Sequence, residues 1–163
     1  MNQKDLENFV RPLYKKKDST HDFSHILRIK KSVKLIKKDY KNINEELLNF
    51  LVYFHGLKDF VKHNENDIIA LGFTKKYITA LYRHTKKPIS IEEKVVSDAN
   101  LLESIGKTGI RRGLTVGKER NQTQEQTLKI MKSNIRKVKF YTKLGKKLGN
   151  PRKTISIEFL RIH

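Results

Sequence analysis

The sequence predicts an all-α protein, on three observations. Apolar residues recur at helical spacing along almost the whole chain, prolines and glycines are few (three and eight), and alternating strand patterns are nearly absent. With 163 residues, the chain reads as one domain, 1–163, large enough to bury a core.

Taken in order, Leu6, Phe9, Val10 and Leu13 give a short opening helix. "DST" at 18–20 offers N-caps for a long second helix, with Ile26, Ile29, Val33 and Ile36 on one face and lysines on the other. Residues 44–55 follow, opened by Asn44. Leu47, Leu48, Phe50, Leu51, Val52 and Phe54 leave that helix little polar surface, so it should lie at the centre. Shorter helical patterns run over 65–72, 74–86, 91–104 and 106–113. The polar stretch "GKERNQTQEQ" (117–126) is expected as a loop before a long C-terminal helix carrying Ile130, Ile135, Val138, Tyr141 and Leu144. "GNP" at 149–151 should stop it, and "TISIEFLRI" should close the chain as another helix.

Charge and composition narrow the partners. Lys and Arg number 36 against 17 Asp and Glu, a formal +19, which attracts polyanions: nucleic acid, nucleotides or anionic lipid. The lysines are spread along the chain, which fits a globally basic surface, whether as proteome-wide lysine bias or for nucleic-acid binding. There is no cysteine, so any metal would sit on His, Asp, Glu or Asn. No apolar run reaches the roughly 18–20 residues of a membrane span, and "MNQKDLENFV" lacks a signal-peptide core. A cytoplasmic protein is expected.

Several polar residues interrupt apolar patterns. His21 and His25 stand four apart at the start of the second helix, on one face. Neutral imidazoles so placed either ligate a metal together or act as ligand and orienter, while His21 also reads simply as a first-turn residue beside Asp22. His55 ends the most apolar helix and needs a partner. By spacing alone it reads as a histidine bonded to a backbone carbonyl, with Gly56 as the helix C-cap. Asp98 sits among Val95, Val96, Leu101, Leu102 and Ile105, where a carboxylate is costly unless paired or metal-bound. His84 repeats the theme, with Arg83 beside it. One His or Asp per apolar helix face is how helical bundles build metal sites.

"HDFSHILRI" (21–29), "LVYFHGLKDF" (51–60), "ALYRHTK" (80–86) and "EEKVVSDANLLESIGKTGIRRGL" (92–114) together resemble, in order, the motifs of the HD-domain superfamily of metal-dependent phosphohydrolases. The nearest subgroup is similar to the small bacterial and archaeal proteins with a "DADRLDAIG" element. The resemblance covers most of the chain and implies an HD-domain helical bundle with one or two divalent cations (Mn, Mg, Ni, Co or Fe). A metal-bound water would attack the phosphorus of a nucleotide or other phosphoester. It implies His25, His55 and Asp98 as metal ligands, with Asn100 as the ligand position in an alternative register. Asp59 would be the catalytic acid or base, and His84, Arg83, His21 and Arg112 would hold phosphate.

Two departures stand out. The His-Asp doublet reads His55-Gly56, and Asp-x-Asp reads Asp98-Ala99-Asn100. The expectation is therefore a metal-dependent phosphohydrolase impaired at Gly56, whether that residue is natural or introduced, with the metal weakly held or lost. The competing expectation is a non-catalytic HD-fold module that binds nucleotide or nucleic acid through its basic surface.

Overall fold

A computed structural model describes residues 3–163; Met1 and Asn2, included in the expected domain, lie outside the described residues. The chain forms α1 (Gln3–Val10), a 3-10 segment (Arg11–Lys16), α2 (Phe23–Ile36), a 3-10 turn (Lys37–Asp39), α3 (Glu45–Phe54), α4 (Lys58–His63), α5 (Glu65–Ala70), α6 (Lys75–Arg83), α7 (Ile91–Glu103), α8 (Gly106–Glu119), α9 (Gln124–Lys137) and α10 (Lys143–Ile162). The expected all-α class holds: there is no strand among the described residues. No helix among them is long and apolar enough to cross a membrane.

α3 is the central helix its composition demands. Leu48 and every residue from Phe50 to Phe54 are buried, and α1, α2, α6 and α7 surround it. Asn44 caps it as expected, its Oδ1 accepting the Leu47 amide at 3.0 Å. α7 packs against α2, α3, α6, α8 and α10, so its polar residues are carried into the middle of the molecule.

Four expectations are corrected. Asp22, not "DST" at 18–20, caps α2 by accepting the His25 amide. Asp18 instead closes its own turn, accepting from the Thr20 and His21 amides and the Thr20 hydroxyl. α8 runs on to Glu119, so the loop shrinks to 120–123, turned by Asn121 at φ 53°. Thr123 and Gln126 of the polar stretch then form a capping box for α9.

The expected long C-terminal helix is split. Residues 138–142 leave helical geometry because Phe140 and Thr142 point into the core while Lys139 lies outside and Tyr141 is half-buried. Thr142 then caps α10. "GNP" does not stop α10, and Pro151 lies inside it. Gly149 serves close approach: a Cβ there would overlap the Phe140 ring.

Candidate functional site

The site grows from the C-terminal end of α3. His84, at the end of α6, is fully buried and its Nδ1 lies 2.7 Å from the Leu81 carbonyl. A carbonyl only accepts, so this Nδ1 carries the proton and Nε2 is the acceptor. His84 Nε2 lies 2.8 Å from His55 Nδ1, so His55 Nδ1 is the donor in turn and its Nε2 keeps a free lone pair. The simple reading of His55 bonded to a carbonyl is thus replaced by a relay through a second histidine.

His25, on the first turn of α2, stands beside this relay, its ring centroid 6.0 Å from that of His55. Burial pushes His25 down to about 3, helped by Arg112, His21 and Arg28, while a bond with Asn100 works the other way. Burial, then Lys58, pushes His84 down to about 4, against the Leu81 carbonyl and Glu93. His55 is also held well below the ordinary imidazole range by burial and by His84 and His25. All three rings are neutral at pH 7.

Next to His55, Gly56 packs tightly against an aromatic ring. The Tyr14 hydroxyl donates to the Tyr53 carbonyl at 2.9 Å and accepts the Gly56 amide at 3.1 Å, capping the end of α3. A Cβ on residue 56 would stand 3.0 Å from Tyr14 Cε1 and 3.3 Å from its oxygen. Tyr14 is buried, so a side chain here competes with a fixed neighbour.

Asp98 and Asn100 face different surroundings. The Asp98 carboxylate accepts the Tyr141 and Thr142 amides at 2.9 and 2.7 Å and the Thr142 hydroxyl at 2.6 Å. Burial raises its pKa despite these bonds. Gly145 lets α10 approach it, since a Cβ there would overlap Asp98 Oδ2. Asn100, bonded to His25, lines the cavity instead. The expected ligand Asp98 therefore does not join the histidines, and the neutral amide of the alternative register does.

The cavity measures about 550 Å³ and lies between the histidine end, α8 and α9. His21, His25, His55, Asn100 and Arg112 all line it. Arg112 donates to the Thr20 and Glu103 carbonyls at 2.6 and 3.0 Å, and its Nε is buried without a partner, as is His25 Nδ1. His21 Nδ1 is 2.7 Å from Asp18. Besides Asp98, three expected site residues are not brought in. Asp59 is exposed and outside the lining, Arg83 is committed to the buried carboxylate of Glu93, and His84 supports His55 from behind. Arg120 and Lys137 join the lining unannounced by any motif, and Tyr14 gave no sequence signal at all.

These donors fit poorly the hard cations, Mg²⁺ and Mn²⁺, among those the resemblance implies; imidazoles suit only the softer ones, Ni²⁺, Co²⁺ or Fe²⁺. Hard cations such as Mg²⁺ and Mn²⁺ need anionic oxygen, and the cavity lining supplies imidazoles, an amide and the Arg112 cation. Among the described residues, no group of three or more His, Asp or Glu side chains is placed to hold a metal ion.

No protein-family model matches the sequence, and no curated protein matches it. Solved structures do. A Listeria innocua protein superposes with a TM-score of 0.71 at 24% identity, over 99% of this chain and 95% of that one. Bacillus subtilis YpgQ in complex with ADP gives a TM-score of 0.68 at 20% identity, over 98% and 91%. An HD-superfamily hydrolase from Bacillus thuringiensis gives 0.67 at 20% identity, over 98% and 93%. Over almost its full length, the chain therefore has the fold of HD-superfamily hydrolases.

Proposed function

We propose that the chain, as one HD-fold domain over 1–163, is a non-catalytic module that holds a nucleotide-type phosphoanion in the histidine cavity. One observation carries this: the cavity is lined by Arg112, Arg120 and Lys137 and by no Asp or Glu. Such a wall attracts phosphate and gives a dication nothing to neutralise it. Bacillus subtilis YpgQ, which shares this fold, forms a complex with ADP, which is consistent with a nucleotide ligand.

The test is a thermal-shift and calorimetric titration with AMP and ADP in EDTA, beside a nucleotidase assay with Mn²⁺, Ni²⁺, Co²⁺ or Mg²⁺. Metal-independent binding without turnover is expected. Turnover abolished by EDTA would instead support the impaired-hydrolase reading, favoured by the free lone pair that the relay leaves on His55 Nε2.

A further inference from the structure

The histidine cavity continues into a second one. Thr85, Asn100, Leu101 and Lys137 line both, and beyond them a space of about 280 Å³ is walled by Lys86, Ser97, Lys139 and Tyr141. The second cavity also lacks any Asp or Glu in its wall. Lys58 adds a further cation at the junction, its Nζ 2.7 Å from the Thr85 hydroxyl. None of these four lysines is paired with a carboxylate among the described residues. Burial and the neighbouring Lys86 push Lys58 below its usual range, as expected where like charges crowd without an anion.

The wall is also built rather than incidental. Asp98 fixes the backbone amides of Tyr141 and Thr142, and Phe140 and Thr142 are buried on the inner side of that segment. Lys139 and Tyr141, which alternate with them, are thereby presented to the cavity. The phenol ring of Tyr141 is the sole aromatic ring on this wall and has a lysine ammonium 5.9 Å from its centroid. A cationic groove beside an aromatic face is the pairing that binds single-stranded nucleic acid, with phosphates on the lysines and a base on the ring.

We propose that the two cavities are consecutive nucleotide subsites for a single strand. One nucleotide occupies the histidine cavity, and its neighbour lies with its phosphate among Lys86, Lys137 and Lys139 and its base against Tyr141. This rests on the phosphoanion reading of the first cavity and extends it from a mononucleotide to a chain. Asp98 is then a positioning residue for the second subsite.

The experiment titrates 5′-phosphorylated oligothymidylates of one to six nucleotides against the full chain, with inorganic triphosphate as competitor. Affinity should rise about ten-fold or more from one nucleotide to two. Tyr141→Leu and Lys139→Met should each remove most of that rise and leave mononucleotide affinity within two-fold. Lys139→Met should also make the salt dependence shallower, by about 0.7 in the log–log slope. A dinucleotide that binds no tighter than a mononucleotide overturns the second subsite while the first reading stands. Inorganic triphosphate competing as well as the dinucleotide overturns it too, by reducing the groove to an unselective polyanion site. Absence of mononucleotide binding as well would overturn both readings.

Discussion

Tyr14 and Gly56 are complementary: the phenol oxygen accepts the Gly56 amide at 3.1 Å, and the ring edge lies 3.0 Å from where a side chain on residue 56 would begin. The buried tyrosine of the 3-10 segment thus stands in tight contact with the place where a side chain on residue 56 would begin. Gly56 is therefore fitted to its surroundings, and adding a side chain there is not free.

Gly56→Asp should cost about 1–3 kcal/mol, the usual range for forcing extra atoms into a packed site. Tyr14→Ala alone should cost about 3–5 kcal/mol through lost packing. The double variant should cost clearly less than the sum, because removing the ring makes room for the carboxylate. Urea unfolding of the four proteins measures this, and strict additivity would refute the contact. Gly56→Asp alone should also show no Mn²⁺-dependent rise in Tm, since Asn100 remains a neutral partner.

Asp98 separates a structural from a ligand role. Asp98→Ala leaves the Tyr141 and Thr142 amides without their acceptor, and should destabilise the fold by about 3 kcal/mol. AMP affinity in the histidine cavity should stay within two-fold in this variant at a temperature where it is folded. Loss of AMP binding with little change in stability would place Asp98 in the site after all.

Much of this molecule could be read from its sequence. The apolar periodicity of α2, α3 and α7 is set by burial alone, so those helices and His25 and His55 at their ends were legible. Boundaries set by tertiary contacts were not. The break at 138–142 depends on Asp98, 43 and 44 residues away, reaching the Tyr141 and Thr142 amides. "GNP" reads as a stop only if Gly149 is there for its flexibility, whereas it is there to admit the Phe140 ring. The choice between Asp98 and Asn100 was open in sequence because it depends on which side of α7 meets α2 and which meets α10. A signal for Lys139 and Tyr141 did exist: "KVKFYT" at 137–142 alternates, as an extended segment with one buried side should.

Acid should unfold the protein through its neutral histidines. His84 faces His55 at the end of α3, Lys58 of α4, Glu93 of α7 and the Leu81 carbonyl of its own helix. Its folded pKa is about 4, below the unfolded value of 6.5. Between these values the unfolded chain takes up a proton that the folded one refuses, so stability falls as pH drops through that window. Above 6.5 the contribution is complete, and below about 4 the decline from this group ends. The total is on the order of 3 kcal/mol for His84. His25, held down to about 3, contributes with the same sign. Urea midpoints between pH 4 and 8 should therefore fall more steeply for the native chain than for His84→Gln; parallel curves would show that His84 titrates normally.

Arg112 offers the sharpest test of the cavity wall. Two of its nitrogens are fixed by the Thr20 and Glu103 carbonyls, which join the segment before α2 to the end of α7, and its buried Nε has no protein partner. Burial, with Arg28 beside it, pulls its pKa below the ordinary guanidinium value, so the charge is held where solvent compensates it poorly. A phosphate oxygen would relieve that deficit. Arg112→Lys keeps the charge but loses the planar fork, and one ammonium cannot hold both carbonyls and still face a ligand as the guanidinium does. AMP affinity measured by calorimetry should fall about ten-fold in Arg112→Lys, whereas Arg111→Lys on the exposed side of α8 should leave it unchanged. Equal affinities in the native chain and Arg112→Lys would show that Arg112 only ties two backbone segments together, and would remove the strongest cation from the proposed site.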